Sequence, residues 1–233
     1  MPAKKNAKPK NPHSVPLMKK FIFFLKANSK MPDWYKIPDV SRNTFIDNMK
    51  PFYDIKEGKK PSISKTDPFA IECWKALQNL NLTNEQFLIE QEITQTKRAW
   101  TMAWGNFHQA LMGSFKGWEN LKQGHESKCD IRRTDNTCYG EIKNHVNTMN
   151  SGGKESVSRK LKKHVKLGRR ALLVIVNGTR NITDENGIEW ITGRNFYQEL
   201  SGRSTFFDDL LTTTVGCFSR FKTHSEMIQG FLN

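Results

Sequence analysis

An uninterrupted apolar run, Leu172 to Val176, sets the strongest limit on the fold of this chain. A run of this length, rich in β-branched residues, suits a strand that is buried on both faces of a helix-covered sheet. A basic segment with a helical apolar period, roughly 154–167, precedes it, and a strand predicted over 137–144 lies before that segment. This strand–helix–strand spacing has the length of a parallel crossover. We therefore predict an α/β domain with a mixed central β-sheet flanked by helices.

A long helix is predicted upstream, from Thr83 to about Met112. Thr83 is suited to cap its N-terminus, and Gln86 follows three residues later, as in a capping box. Apolar residues then recur at spacings of three, four or seven, which predicts one buried face. They are Ile89, Ile93, Trp100, Trp104, Phe107 and Leu111. Other strands are predicted around 115–121 and 126–134, a further short segment lies around 188–192, and other helices are predicted over 206–214 and near 223–232.

The ends of the chain and its cysteines indicate its organisation. Residues 1–16 are rich in Pro and Lys, which predicts a flexible basic N-terminal arm, and 17–233 are expected to form a single domain. The segment "MKKFIFFL" (18–25) is too short for a membrane span, so we expect a core-facing helix there and no membrane segment. Four cysteines without a C-x-x-C pair indicate reduced thiols in a cytoplasmic protein.

The segment "CDIRRTDNTCYGEIKN" (129–144) has the pattern of a β-hairpin. Asp135 and Asn136 suit its turn, because both residue types tolerate left-handed backbone conformations. With the turn placed there, Asp130 lies opposite Glu141, and directly opposite Cβ atoms are about 5 Å apart. Lys143 is two residues beyond Glu141 and so points to the same face of the sheet.

Two carboxylates this close repel each other, so the hairpin needs positive charge beside them. Lys143 supplies part of that charge. A Mg²⁺ ion, which prefers oxygen ligands, would supply more, with Asp130, Glu141 and the backbone carbonyl of Ile142 as ligands. Lys143 could then orient an attacking water and stabilise negative charge on a phosphate. The alternative is a surface ion cluster with no catalytic role.

The charge balance favours a nucleic-acid partner. The chain has 37 Lys and Arg against 23 Asp and Glu, a net charge of +14, and a pI of about 9.7. Residues of the predicted basic helix are candidates for phosphate contacts: Lys154, Arg159 and Lys163. Polar residues just after the second hairpin strand could reach phosphates or base edges: Asn144, Asn147, Thr148 and Asn150. A solvated helix face and a loop-stabilising role are the respective alternatives.

The hairpin and its surroundings resemble a known group of enzymes. "CDIRRTDNTCYGEIKN" resembles the active-site hairpin of the PD-(D/E)XK nuclease superfamily, and "GEIKNHVNTMNS" (140–151) resembles a segment of type II restriction endonucleases that cut GGNCC. "GNFHQALMGSFKGW" (105–118) also resembles that group, so the likeness covers about 85–180. Two positions depart from the pattern: Cys129 stands in place of the superfamily's proline, and His145 in place of a lysine.

The resemblance implies a fold, a chemistry and a partner. It implies a restriction-endonuclease-like core over about 85–180, with Asp130 and Glu141 as Mg²⁺ ligands and Lys143 as the catalytic lysine. An additional acid often comes from the preceding helix, for which Glu92 is the candidate.

The function implied is a type II restriction endonuclease that cuts both strands of DNA and leaves 5′-phosphate ends. A palindromic target implies a homodimer, with a cognate DNA methyltransferase as genetic partner, in the cytoplasm of a bacterial or archaeal cell. Two alternatives stay open: a structure-specific DNA nuclease, such as a junction resolvase or repair nuclease, and a non-catalytic DNA-binding protein.

Overall fold

The computed structural model of the chain describes residues 33–56, 84–121, 124–145, 149 and 151–231. Its helices are α1 (Arg42–Lys56), α2 (Asn84–Met112), α3 (Ser151–Lys166), α4 (Gly193–Ser201), α5 (Phe206–Arg220) and α6 (His224–Gly230). Its strands are β1 (Trp118–Asn120), β2 (Ile131–Arg133), β3 (Cys138–Lys143), β4 (Arg170–Ile175), β5 (Ile182–Thr183) and β6 (Glu189–Thr192). Three predicted features lie outside the described residues: the arm (1–16), the helix at 18–25 and the cap Thr83.

The strands form one mixed sheet in the order β1-β2-β3-β4-β6-β5. The β1–β2 and β2–β3 pairs are antiparallel, β3–β4 and β4–β6 are parallel, and β5 pairs with β6 antiparallel. Helix α3 makes the connection between the parallel strands β3 and β4. The predicted mixed sheet flanked by helices and the predicted parallel crossover are therefore confirmed.

The central strand β4 is buried on both faces, as the apolar run predicts. Leu172 and Val174 pack into a large core that also contains Phe107 of α2. Leu173 and Ile175 alternate with them and pack against α3 on the opposite face. Because strand side chains alternate, each face of the sheet has its own helical cover.

Helix α2 confirms only part of its predicted core stripe. Phe107 and Leu111 are buried, and the Trp104 ring packs at a tilt against Phe52 of α1, with ring centroids 4.5 Å apart. Ile89 and Ile93, however, are 51% and 47% exposed, so the prediction that they belong to the core is wrong. The 29 residues of α2 extend about 43 Å, about twice the length of the 15-residue α1 that packs on it. The core therefore covers the C-terminal half of α2.

The hairpin has the predicted register but shorter strands and a longer turn. Ile131 pairs with Gly140 and Arg132 with Tyr139, which is the predicted register, and the Asp130 N–H donates to the Gly140 carbonyl at 2.9 Å. Strand β2 begins at Ile131 rather than near residue 126, because the chain turns before it and Lys128 has a left-handed φ of 55°. The turn spans 134–137 rather than two residues, with φ 62° at Asn136.

Several other boundaries differ from the prediction. Helix α3 begins at Ser151 and α5 continues to Arg220, while α1 and α4 were not predicted. The start of α4 is fixed by a side-chain cap, since Thr192 Oγ1 accepts a hydrogen bond from the backbone N–H of Asn195. Among the described residues, no helix is both long and apolar enough to cross a membrane.

Candidate active site

Strand β3 carries the predicted Glu and Lys on the face covered by α3. Glu141 and Lys143 are two residues apart, so their side chains leave the sheet on the same side. The Glu141 side chain is only 4% exposed, and its Oε1 atom accepts a 2.7 Å hydrogen bond from Lys143 Nζ. The Lys143 side chain is 26% exposed. A buried carboxylate is thus held beside a lysine that a substrate can reach from solvent.

Asp130 lies just before β2 and is tied to both neighbouring segments. Its backbone N–H donates to the Gly140 carbonyl at 2.9 Å, and its own carbonyl accepts from the Leu121 N–H at 2.8 Å. The Oδ2 atom of its carboxylate accepts a 2.7 Å hydrogen bond from the backbone N–H of Ile142. The Asp130 carboxylate is therefore fixed against the strand that carries Glu141.

The pKa of Asp130 is affected by its burial and by the charge of Glu141. Burial raises the pKa of the Asp130 carboxyl above its usual value, and the negative charge of Glu141 raises it further. The Ile142 N–H and the ammonium groups of Lys143 and Lys160 oppose that rise without cancelling it. The Asp130 carboxylate is therefore destabilised mainly by its burial and by the neighbouring charge of Glu141.

Lys160 of α3 is a member of this site that the sequence analysis did not single out. Its Nζ donates to Glu141 Oε2 at 2.6 Å and to the Lys128 carbonyl at 2.9 Å. The two oxygens of Glu141 are thus each paired with a different lysine. The only signal in the sequence was the position of Lys160, next to Leu161 and three residues after Val157, both of which α3 buries against the sheet.

The carbonyl of Ile142 points toward the Asp130 side of β3. The carbonyl of Thr137, just before β3, accepts a hydrogen bond from Arg170, and that of Lys143 accepts one from Val176, just after β4, so the odd-numbered residues of β3 direct their backbone groups toward β4. Ile142 alternates with them, and its N–H already bonds Asp130. Because the N–H and C=O of one strand residue point the same way, the Ile142 carbonyl lies on the side predicted for a metal ligand.

The donors at this site fit a hard cation such as Mg²⁺. Two carboxylates and one backbone carbonyl are oxygen ligands, which Mg²⁺ prefers. Within the part of the chain that the structure describes, no cluster of three or more His, Cys, Asp or Glu residues could hold a metal. A cation at Asp130 and Glu141 would therefore complete its shell with water and substrate phosphate, as Mg²⁺ commonly does.

The other predicted residues lie at varied distances from this cluster. Asn144 directly follows β3, and its Nδ2 donates to the Thr101 carbonyl of α2 at 3.0 Å. Glu92 is half-buried on α2. It lies nine residues before Thr101, so the two residues are about 14 Å apart along the helix axis. Its predicted role as a metal ligand stays a prediction. Three predicted DNA contacts, Asn147, Thr148 and Asn150, lie outside the described residues.

The predicted phosphate contacts on α3 are all on its exposed surface. Lys154, Arg159 and Lys163 are exposed, whereas Val157 and Leu161 face the sheet. The basic helix therefore presents positive charge outward and its apolar stripe inward. Positive charge on an exposed surface attracts polyanions such as nucleic acids.

Together, the helix-flanked mixed sheet and the acids and lysine on its hairpin are consistent with a restriction-endonuclease-like fold. The model of the Eco47II restriction endonuclease family matches residues 43–215, about three quarters of the chain, and the chain belongs to that family. This match confirms the resemblance to type II restriction endonucleases.

A curated enzyme shows a partial similarity. The chain is 31% identical over 81 residues to the type II restriction enzyme Sau96I of Staphylococcus aureus, a match that covers 35% of this chain and 30% of that enzyme. No solved structure matches the chain significantly.

Proposed function

We propose that this chain is a Mg²⁺-dependent type II restriction endonuclease that cuts both strands of double-stranded DNA. The observation that carries the proposal is the hydrogen bond that fixes Asp130 to the strand of buried Glu141, with Lys143 paired to Glu141 on that strand. The family match supports the same enzyme class. Positive net charge and the exposed basic surface of α3 support a DNA substrate.

Each residue of the site has a role in this proposal. Asp130, Glu141 and the Ile142 carbonyl would hold the cation, which when bound would polarise the scissile phosphate and assist ionisation of the attacking water. Lys143 orients that water for in-line attack and stabilises the negative charge that develops on the phosphate. The new oxygen–phosphorus bond forms as the bond to the 3′ oxygen breaks, so the products carry 5′-phosphate and 3′-hydroxyl ends.

The finer features of the proposal rest on the sequence resemblance. The segment from Gly140 to Ser151 resembles enzymes that cut GGNCC, so we propose this target. A target that reads the same on both strands suits a homodimer, with each copy cutting one strand. In a restriction–modification system a cognate DNA methyltransferase would protect the same sites, and both proteins would act in the cytoplasm.

A cleavage assay tests the proposal. Plasmid DNA of known sequence is incubated with the full chain in Mg²⁺ or in EDTA, and fragment ends are sequenced. We expect discrete fragments that end within GGNCC sites, formed only in Mg²⁺. Lys143→Ala and Asp130→Ala should lower the cleavage rate by about a hundredfold or more. Lys50→Ala, which removes an ion pair on the exposed surface of α1, is the matched control and should cut normally.

Other outcomes identify the alternatives. Cutting restricted to branched DNA would indicate a structure-specific nuclease. Binding without cleavage under any divalent cation would indicate a non-catalytic DNA-binding protein. Discrete fragments that end outside GGNCC sites would keep the endonuclease and reject the target.

A further inference from the structure

Lys160 is placed where it competes with a metal ion for Glu141. Its ammonium donates to Glu141 Oε2 at 2.6 Å while Lys143 holds Oε1 at 2.7 Å. Both oxygens of a carboxylate that is 4% exposed are therefore occupied by lysines. A cation that binds this carboxylate therefore competes with two ammonium groups for the same two oxygens.

The position of Lys160 allows its ammonium to leave Glu141 without a change in the sheet. It belongs to α3, on the opposite side of the carboxylate from β3, and its side chain is 22% exposed. Its second hydrogen bond is to the Lys128 carbonyl, in the exposed turn before β2. A lysine side chain has a long flexible stem, so its ammonium can leave Glu141 without movement of the helix.

Charge balance gives a reason for the displacement. Asp130 and Glu141 together carry two negative charges, and Lys143 and Lys160 carry two positive ones. This set of four side chains is balanced without a metal, so a divalent cation adds two positive charges that nothing among these four offsets. A DNA phosphate brings negative charge to the same place and would attract the released ammonium.

We propose that Lys160 is a positioning residue that couples metal binding to DNA binding. In the absence of a divalent cation it neutralises Glu141 and keeps the carboxylate in place. When a divalent cation and DNA bind, the Lys160 ammonium leaves Glu141 and contacts a backbone phosphate. This inference rests on the proposed endonuclease function, because it takes Glu141 as a metal ligand.

The first test measures metal affinity without DNA. The full chain is titrated with Mn²⁺, and the free ion is quantified by its electron paramagnetic resonance signal. Lys160→Met removes the competing charge, so its Kd for Mn²⁺ should fall about tenfold below that of the wild type. Lys166→Met makes the same charge change on an exposed residue of the same helix and should change the Kd less than about twofold. If Lys160 had only a structural role, its substitution would weaken metal binding, so the Kd for Mn²⁺ would rise instead of falling.

A second variant keeps the test valid if Lys160→Met does not fold. Lys160→Gln removes the charge but keeps an N–H donor for the buried Glu141, and it should also bind Mn²⁺ more tightly than the wild type. An unchanged or weaker Mn²⁺ affinity in the folded Lys160 variants would overturn the proposal. An equal gain in Lys166→Met would also overturn it, because the effect would then reflect net charge alone.

The third measurement tests the contact with DNA. Fluorescence anisotropy gives the Kd for a labelled duplex in EDTA and in Ca²⁺, with intact DNA verified on a gel. We expect Lys160→Met to bind DNA nearly as well as the wild type in EDTA but about tenfold more weakly in Ca²⁺, where the released ammonium would otherwise contact phosphate. Equal weakening in both conditions would make Lys160 an ordinary phosphate contact and refute the coupling.

Failure of this inference can be distinguished from failure of the proposed endonuclease function. Cleavage by the wild type in Mg²⁺ is scored on its own, and its absence would reject the endonuclease. The Mn²⁺ affinities need neither cleavage nor DNA, so they test Lys160 independently.

Discussion

The backbone N–H of Ile142 donates a 2.7 Å hydrogen bond to Asp130 Oδ2, which joins the two arms of the hairpin at the candidate active site. This bond uses the carboxylate of one predicted metal ligand and the backbone of another. It holds Asp130 in position although that residue precedes the regular part of β2. The hairpin therefore fixes the position of Asp130 through its own hydrogen bonds.

Asp130→Asn separates the structural role of this side chain from its charge. The amide oxygen can still accept the Ile142 hydrogen bond, so the fold should persist. The negative charge for the cation is lost, and we expect the cleavage rate in Mg²⁺ to fall about a hundredfold. Cleavage at the wild-type rate would exclude Asp130 from the catalytic site.

The same variant should be more stable than the wild type in EDTA at neutral pH. Burial and Glu141 raise the pKa of Asp130 in the folded protein above its usual 3.8, so the ionised carboxylate opposes folding. That cost is absent below the usual pKa and is complete above the raised one. Thermal unfolding should therefore show a higher Tm for Asp130→Asn at pH 7 than for the wild type, with a smaller difference at pH 4. A lower Tm at pH 7 would mean that the hydrogen bond to the charged form outweighs the repulsion.

Gly140 permits the close approach of β2 and β3 next to Glu141. A Cβ atom at this position would lie 2.9 Å from Ile131 Cγ1, which is closer than carbon atoms normally approach. We expect Gly140→Ala to lower the free energy of unfolding by roughly 1–3 kcal/mol in urea denaturation. In combination with Ile131→Ala, which removes the clashing atom, the loss should be smaller than the sum of the single losses. Additive losses would show that the two side chains do not collide.

His108 makes stability depend on pH. It is buried in the aromatic core, where its Nδ1 lies 2.9 Å from the Tyr197 hydroxyl, and burial lowers its pKa from 6.5 to about 4. The unfolded chain takes up a proton at this site at higher pH than the folded chain does. Stability from neutral His108 is therefore complete above pH 6.5 and decreases as the pH falls toward 4, by roughly 3 kcal/mol in total.

Urea denaturation at pH 7 and pH 4.5 measures this dependence. His108→Gln cannot take up a proton, so its free energy of unfolding should change less between the two pH values than that of the wild type. Equal changes in the two proteins would assign the pH dependence to other groups.

The three cysteines among the described residues should resist alkylation in the native protein. Cys129, Cys138 and Cys217 are buried, and burial raises their pKa values to about 12, 12 and 11. Thiolates are the reactive form, so very little of each thiol is reactive at pH 8. Peptide mass spectrometry after iodoacetamide treatment should find them unmodified in the native state and modified in guanidinium chloride. Rapid native labelling of Cys129 would indicate that the segment next to Asp130 opens.

The amino-acid sequence by itself determined the central part of the fold. The uninterrupted run from Leu172 to Val176 predicted a strand buried on both faces, and the turn residues Asp135 and Asn136 predicted the hairpin register. Both inferences rest on local sequence: a continuous apolar run in the first case and the position of a turn in the second. Local sequence was sufficient there because the position of the turn determines which residues of the two strands pair.

Only the tertiary structure determined what lies around that hairpin. Periodicity along α2 marked Ile89 as core, but burial depends on whether another element covers that turn of the helix, and α1 is too short to do so. In the sequence, Lys160 cannot be distinguished from its basic neighbours on α3. Only the packing of α3 over β3 brings its ammonium to Glu141. Contacts of this kind join residues that are far apart in the chain, so they depend on the packing of whole elements rather than on local pattern.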